Sequence, residues 1–369
     1  MPETRRIIVI GSNSFSGSDF IDLLLDDPRN EVVGISRSPE KSAVFLRYKQ
    51  RQRAAFTPPP AERMLIDPWK SAPLKPVDAS PSGPPSVALG AGFTFHQLDL
   101  NLHTQEILRL LGDLKPVYVV NFAAQSEVAP SWEHPEQWFQ TNAVALAALG
   151  NYLKDQPWLA RYVHISSPEV YGTCAGTVAE DAPLNPSTPY AASKAAGDLF
   201  LFTLVKHFRF PLIMIRSTNV YGARQQLFKI IPRSVIALKQ GRTITLHGGG
   251  VAVKSYIHIR DVSRGELAAM EHGQPGHIYH LSPDRGYAVR EVVHMICRMM
   301  NRDVETSTVA VGERLGQDAA YVIDSSKARQ ALGWAPRISL EDGLRDVVTW
   351  IDESWEHIQQ ESLEYVHQP

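Results

Sequence analysis

The sequence predicts an α/β fold in which a doubly wound parallel sheet carries a smaller C-terminal cap. Three observations carry that prediction. Arg5-Arg6-Ile7-Ile8-Val9-Ile10 is an apolar run opened by charge, the pattern of a strand buried on both faces. It runs into Gly11-Ser12-Asn13-Ser14-Phe15-Ser16-Gly17 and then into Phe20, Ile21, Leu23, Leu24 and Leu25 at helical spacing, which makes a strand, a glycine-rich turn and a helix. Further apolar runs at 31–36, 94–98, 117–122, 162–166 and 212–216 alternate with helical patterns up to about Gly222, as a parallel sheet with helices on both faces requires.

The elements follow in order. Gly11 permits the tight turn and Gly17 a close helix approach. Ser14 stands where a middle glycine is common, and Phe15 opens the helix, so the first helix offers its N-terminal amides to a pyrophosphate. A Rossmann-type dinucleotide site is the expectation at this turn, with an ordinary strand-to-helix loop as the alternative. At the end of the second strand stand Ser36 and Arg37. An acidic residue there would bond the ribose 2′-hydroxyl of NAD and repel a 2′-phosphate. A serine and an arginine favour the phosphate, so NADP is expected, with NAD as the alternative. The stretch 54–92 holds most of a proline cluster and reads as a surface insertion, with a lid or partner-binding role as the alternative. From about Gln225 the pattern changes to short helices, a strand at 243–246 and a Gly248-Gly249-Gly250 turn. The expected division is a dinucleotide-binding unit over 1–224, with the chain returning to it around 251–285, and a cap built mainly from 225–369.

Composition bounds the function. A formal charge of −2 over 369 residues gives no global field for nucleic acid or an anionic membrane, and Arg47–Arg53 reads as a solvated segment. Two cysteines, Cys174 and Cys297, suit a reducing cytoplasm and argue against a disulfide framework. No apolar run is long enough to span a bilayer, and His247, His258, His277 and His280 show no metal-ligand spacing.

Tyr190 and Lys194 lie at i and i+4 and share one face of a helix. An ammonium beside a phenol favours the phenolate; lowering a tyrosine pKa from about 10 to near 7 takes roughly 4 kcal/mol of differential stabilisation. Such a phenolate takes a proton from an alcohol as hydride leaves the same carbon. Glu169 follows an apolar strand directly, where ligands bind in parallel-sheet proteins, and Ser167 precedes it.

Taken together these motifs resemble the extended short-chain dehydrogenase/reductase family, and within it the nucleotide-sugar 4,6-dehydratases, over nearly the whole chain apart from the proline-rich insertion. The residues that carry the resemblance are Asp99-Leu100, Asn121-Phe122-Ala123-Ala124-Gln125-Ser126, Ser166-Ser167-Pro168-Glu169-Val170-Tyr171-Gly172, Pro186-Ser187-Thr188-Pro189-Tyr190 through Lys194, Asn219-Val220-Tyr221-Gly222, Glu313-Arg314-Leu315-Gly316-Gln317-Asp318, and Tyr321-Val322-Ile323-Asp324 followed by Leu332-Gly333-Trp334-Ala335-Pro336. The resemblance implies that Asp99, Leu100 and Ala123 contact the dinucleotide, that Gln125 and Asn219 hold the sugar nucleotide, and that Arg314 binds its diphosphate. It implies that Tyr190 takes the C4 hydroxyl proton, Lys194 lowers the tyrosine pKa and reaches the nicotinamide ribose, Ser167 bonds the C4 oxygen and Glu169 removes the C5 proton. Lys229 and Arg233 fall in the segment over the sugar nucleotide, as phosphate or base contacts or as surface charges. Lys254 stands where relatives have an arginine, and loses its bidentate fork. Pro168 stands where the dTDP-glucose enzymes have a general-acid aspartate; GDP-mannose dehydratases also lack it. The expected protein is a cytoplasmic homodimer, dimeric through a helix bundle to which the helix from Pro189 contributes, acting on a nucleotide sugar. The rivals are a nucleotide-sugar 4-epimerase, a uronic-acid decarboxylase and a non-catalytic NADP-binding module.

Overall fold

The computed structural model describes residues 4–55, 87–89, 92–173, 176–312 and 322–368. Most of the proline-rich stretch, Cys174 and the segment that holds Arg314 lie outside the described residues.

The central sheet contains β1 (Arg5–Ile10), β2 (Asn30–Ser36), β3 (Val87–Leu89), β4 (Phe93–Gln97), β5 (Tyr118–Asn121) and β6 (Arg161–Ile165). After the short β7 (Thr177–Val178) the chain adds β8 (Leu212–Ser217). Outside the sheet follow β9 (Asn219–Tyr221), β10 (Ile244–His247), β11 (Val253–Lys254) and β12 (Tyr256–His258), and then β13 (His277–Leu281) returns to it. The order is β13-β8-β6-β5-β1-β2-β4-β3; the first seven run parallel and β3 pairs antiparallel at the edge. Small pairs complete the cap: β14 (Tyr287–Ala288) with β11, β15 (Thr308–Val311) with β10, β12 with β9, and β16 (Val322–Ile323) with β7. The chain leaves β1 toward β2 and β4, then crosses back to β5 and moves the other way. That reversal between β1 and β5 is the crevice where doubly wound sheets bind ligands.

The helices are α1 (Phe15–Leu24), α2 (Tyr48–Ala55), α3 (Thr104–Leu114), α4 (Pro135–Phe139), α5 (Leu146–Leu153), α6 (Pro189–Phe208), α7 (Ile230–Lys239), α8 (Ile259–His272), α9 (Val289–Met299), α10 (Val304–Ser307), α11 (Ser326–Leu332), α12 (Leu340–Glu353) and α13 (Trp355–Ile358). The period of two along β1 feeds two cores. Ile7 and Val9 pack with Phe20, Ile21 and Leu24 of α1 and Val262, Ala269 and Met270 of α8. Ile8 and Ile10 pack with Ile107 and Leu111 of α3, Leu146 and Leu149 of α5, and Leu201 and Leu204 of α6. The cap has its own core of α7, α9 and α12, built on Val235, Ile236, Val292, Ile296, Leu344, Val347 and Ile351.

A carboxyl interrupts the apolar core at α8. Glu266 of α8 is fully buried, and neither carboxylate oxygen has a hydrogen-bond partner. Burial, reinforced by the nearby charge of Asp19, pushes its carboxyl well above the ordinary range, so it is held protonated. The folded state therefore binds a proton that the unfolded chain releases above about pH 4.3, and stability falls as pH rises from there toward the raised pKa. Glu266→Gln should remove that slope, with a larger gain in urea midpoint at pH 8 than at pH 4; equal gains at both pH values would contradict this assignment.

Candidate active site

Strand ends build the site. β1 ends at Gly11, whose φ of 87° suits glycine; a Cβ there would sit 2.7 Å from the backbone N of Ala123. At Gly17 a Cβ would meet the carbonyl of Gly11 at 2.4 Å. Ser14 caps α1, its hydroxyl accepting from the Gly17 N–H at 2.9 Å. Asn13 is buried and pins the end of β2, its amide donating to the carbonyls of Ser38 and Pro39, both at 2.8 Å. Its Oδ1 and the hydroxyl of the buried Ser12 have no partner in the protein.

A cavity of about 370 Å³ opens above these residues. Gly11 and Ser14 floor it, Ser36 and Arg37 with Ser38 and Lys41 border one side, Asp99 and Leu100 another, and Ala123, Gln125 and Glu127 the third. Asp99 is held by its own turn, accepting from the N–H of Asn101 at 2.7 Å and of Leu102 at 3.2 Å. Phe15 instead faces an adjoining cavity of about 390 Å³, and Gly17 is packed beneath the turn. These residues fit a nicotinamide dinucleotide: backbone approaches closely at a helix N-terminus, and two buried polar atoms of the loop await partners.

The loop after β5 is stapled to α6 by Asn142. A π-helical turn (Gln140–Ala145) between α4 and α5 aims this side chain inward. Its Oδ1 accepts from the Gln125 N–H, while Nδ2 donates to the Gln125 carbonyl and to the Ser193 hydroxyl, each at 2.9 Å. Ser193 in turn donates to the carbonyl of Tyr190 at 2.7 Å. Thr188 caps α6, accepting from the Ala191 N–H at 3.1 Å, and Pro189 takes the first helical position.

At the end of β6, Ser167 caps a single 3₁₀ turn (Pro168–Tyr171), its hydroxyl accepting from the Glu169 N–H at 3.2 Å. Pro168 is buried at the first position of that turn, where its fixed φ sets the direction in which Glu169 leaves. The structure brings Tyr190, Ser167 and Glu169 together. The phenol of Tyr190 hydrogen-bonds Ser167, and Glu169 is the carboxylate that acts on it most. The four residues Tyr190, Lys194, Ser167 and Glu169 do not line the 370 Å³ cavity; Glu127, which does, extends its charge to the same phenol.

One expectation is corrected. Tyr190 does not sit as a lowered phenol. Burial, then the charge of Glu169, pushes its pKa up, against the lowering effect of the Ser167 hydrogen bond. The ammonium of Lys194 donates to the carbonyl of Ile165 at 2.8 Å, and burial brings its own pKa down to about 8. A shared helix face does not bring the ammonium to the phenol: Lys194 turns to a strand carbonyl, and burial with the charge of Glu169 sets the phenol's direction.

Behind Lys194 lies a buried polar cluster that sequence reasoning missed. Asp198, next on the same helical face, accepts from Ser166 Oγ at 2.6 Å and from the Arg216 guanidinium at 2.8 Å. Arg216 also donates to the Tyr171 hydroxyl, which meets His280 Nε2 at 2.7 Å. His164 lies 3.4 Å from the Lys194 ammonium and 3.6 Å from Asp198, and burial with the Lys194 and Arg216 charges keeps it neutral. The i+4 spacing from Lys194 to Asp198 was a usable signal; His164 and Arg216 come from strands and gave none. Arg216→Met should lower stability by about 3–5 kcal/mol in urea, since it leaves Asp198 buried without its guanidinium. A loss below about 1 kcal/mol would show that the cluster tolerates the change.

The expected substrate residues scatter. Asn219 donates to the Ser255 carbonyl at 3.3 Å and Lys254 is half-buried on β11. Lys229 is paired with Glu127 at 2.7 Å, and Arg233 lies 3.5 Å from Glu364. Arg233 borders a third cavity of about 430 Å³ with Arg242 and His247. Gln125 gives its side-chain amide to the carbonyl of Gln368 at 2.8 Å, so residues beyond α13 reach the cleft. Among the described residues no group of three or more His, Cys, Asp or Glu side chains could hold a metal ion, and no helix is long and apolar enough to cross a membrane.

A seven-strand parallel sheet, a glycine turn at its switch point and a Tyr–Lys helix beside it define an extended short-chain dehydrogenase/reductase. Residues 82–347 match the family model described as GDP-mannose 4,6 dehydratase, and the chain belongs to that nucleotide-sugar dehydratase family. A dTDP-glucose 4,6-dehydratase of Neisseria gonorrhoeae is 30% identical over 279 residues, covering 70% of this chain and 80% of that protein. A trifunctional UDP-glucose 4,6-dehydratase/UDP-4-keto-6-deoxy-D-glucose 3,5-epimerase/UDP-4-keto-L-rhamnose-reductase of Arabidopsis thaliana is 30% identical over 236 residues; the match covers 63% of this chain and only 35% of that longer protein. Among solved structures, the dTDP-glucose 4,6-dehydratase DesIV of Streptomyces venezuelae, with NAD and TYD bound, superposes with a TM-score of 0.77 at 27% identity, covering 95% of this chain and 98% of that one. A UDP-glucuronic acid 4-epimerase of Bacillus cereus superposes equally well, at 0.77, over 94% of this chain and 99% of that one; at 23% identity the likeness is one of fold.

Proposed function

We propose that this protein is a nucleoside-diphosphate-hexose 4,6-dehydratase. The observation that carries the reading is the grouping of a buried phenol, a hydroxyl and a carboxylate, Tyr190, Ser167 and Glu169, at the switch-point end of the sheet. A dinucleotide held by Gly11, Ser14, Ala123, Asp99 and Leu100 would supply reversible storage of the C4 hydrogen as hydride. Tyr190 takes the C4 hydroxyl proton as the C4–H bond breaks, and Ser167 steadies the oxygen that becomes a ketone. Lys194 supplies the cationic charge that favours the phenolate once it faces the ligand ribose. The ketone acidifies C5–H, and Glu169 removes that proton while the C6 hydroxyl leaves as water. Pro168 has no proton to give, so either Glu169 also delivers the proton it removes to the leaving hydroxyl, or another group supplies that proton. Hydride then closes on C6 and a proton on C5. The balance is loss of one water from the hexose.

The glutamate supports dehydration over 4-epimerisation, which needs no C5 base. A uronic-acid decarboxylase and a non-catalytic NADP-binding module are the weaker readings, and the retained Tyr190 and Lys194 weigh against the second. Gln125, Asn219, Lys229, Arg233, Lys254 and Arg314 are the proposed contacts to the sugar nucleotide. Incubation with a panel of nucleotide hexoses, read by mass spectrometry, tests the reading: loss of one water supports it, whereas an isomeric product or loss of carbon dioxide would replace it.

NADP is the proposed dinucleotide, with NAD as the alternative. Ser36, Arg37, Ser38 and Lys41 border the cavity at the end of β2, a set of donors without a carboxylate. NADP⁺ should bind more tightly than NAD⁺ in calorimetric titration, and the reverse order would assign NAD. A homodimer is proposed through α6 and the helical run from α4 to α5; these helices pack together and expose Leu199, Phe139 and Val144. Cytoplasmic residence is proposed with it.

A further inference from the structure

We propose that the segment following α13, residues 362–368, is a strap that competes with the dinucleotide for the cleft. The inference rests on the reading of that cleft as a dinucleotide site. Beyond Ile358 the chain turns back across the carboxyl edge of the sheet and borders three cavities in succession. Ser362 lies beside the one that Asn13 and Phe15 face, Leu363 and Glu364 beside the one that holds Arg233, and Tyr365, Val366 and Gln368 in the wall of the 370 Å³ cavity above Gly11 and Ser14.

Its anchors are the groups proposed for ligands. The carbonyl of Gln368 accepts from Gln125 Nε2 at 2.8 Å and from the Arg37 guanidinium at 3.1 Å. The carboxylate of Glu364 meets Arg233 at 3.5 Å. In each case the strap presents an oxygen to a donor that would face an oxygen of a bound nucleotide. While Gln368 holds one N–H of Arg37, the guanidinium has fewer of its five donors to turn toward a ribose phosphate.

Aromatic contacts seat the strap in register. The His367 ring stacks on Trp138 at 5.0 Å between centroids with planes 16° apart, and on His134 at 5.7 Å. The Tyr365 hydroxyl meets His367 Nδ1 at 3.0 Å and Gln137 Oε1 meets Nε2 at 2.5 Å, so both ring nitrogens are engaged. Tyr365 also packs edge-on against Phe228 at 5.4 Å. Val366, between these anchors, is exposed. A strap held at a few side chains, with solvent between them, can be displaced without unfolding the cap.

A closed fraction that excludes ligand multiplies the apparent Kd by the inverse of the open fraction. A strap closed nine-tenths of the time therefore weakens binding about tenfold. The test is calorimetric titration of NADP⁺ and NAD⁺ into the 369-residue chain, a chain ending at Glu361, and the 369-residue His367→Ala variant. Both altered proteins should bind the preferred dinucleotide about tenfold more tightly. In the whole chain, amide hydrogen exchange over 362–368 should speed up when dinucleotide is added. Unchanged or weaker binding by the shortened chain, or slower exchange over 362–368, would overturn the proposal by making the segment neutral or part of the bound site. If no form of the protein binds either dinucleotide, the cofactor reading itself fails, and the strap with it.

Discussion

Tyr190→Phe should lower turnover on the proposed nucleotide-hexose substrate by about 10³-fold while leaving the fold intact. The two halves of that expectation rest on different atoms. The backbone of Tyr190 does the structural work: its N–H donates to Ser131 Oγ at 3.2 Å and its carbonyl accepts from Ser193. The ring stays with the substitution. The hydroxyl bonds Ser167, a contact whose loss costs about 1 kcal/mol. Its chemical part is not replaceable nearby: Lys194 is turned to Ile165, and the Ser167 hydroxyl is too weak a base to take the proton. Steady-state kinetics beside a thermal melt decides the matter. Turnover within tenfold of the parent would remove Tyr190 from the chemistry, and a collapsed melt would show the hydroxyl to be structural.

Glu169→Gln should separate oxidation at C4 from loss of water. The amide keeps the shape of the side chain and the N–H that donates to Ser167, so the 3₁₀ turn at 168–171 should survive. A carboxamide does not accept a proton from C5, and dehydration should fall by about 10²–10⁴-fold. Removing the negative charge that acts most on the Tyr190 phenol also removes the second cause of its raised pKa, so C4 oxidation should persist or quicken. A 4-keto sugar that has lost two hydrogens and kept its C6 hydroxyl should then build up to the amount of enzyme, visible by mass. Water loss at the parent rate would assign the C5 base elsewhere.

Much of the fold was legible because buried parallel strands are continuous apolar runs. The expected strands at 6–10, 31–36, 94–98, 117–122, 162–166 and 212–216 lie within two residues of β1, β2, β4, β5, β6 and β8. The glycine turn was readable because Gly11 and Gly17 meet a backbone constraint that few residues satisfy. The family itself was readable from motif order, and the match over 82–347 agrees with it.

What escaped has physical reasons. Spacing places Tyr190 and Lys194 on one face, but it carries no information on desolvation, and desolvation decides the phenol's proton. Arg216 and His164 occupy strand positions that read as interrupted apolar runs; only the pairing of β8 with β6 brings them to Asp198. Asn142 acts through a π-helical turn that no periodicity announces. The polar residues 362–368 look like solvated chain, and their place over Gln125 and Arg37 depends on where α13 ends.

In the proposed reaction one hydrogen of the hexose leaves C4 and comes back at C6, with a carboxylate working at C5 in between. A nucleotide hexose carrying deuterium at C4 tests it directly, with the position of the label read by NMR after turnover in ordinary water. The account predicts a 6-deoxy-4-keto product with the deuterium on C6 and a solvent hydrogen on C5. A product that keeps the deuterium at C4, or loses it to water, would contradict it.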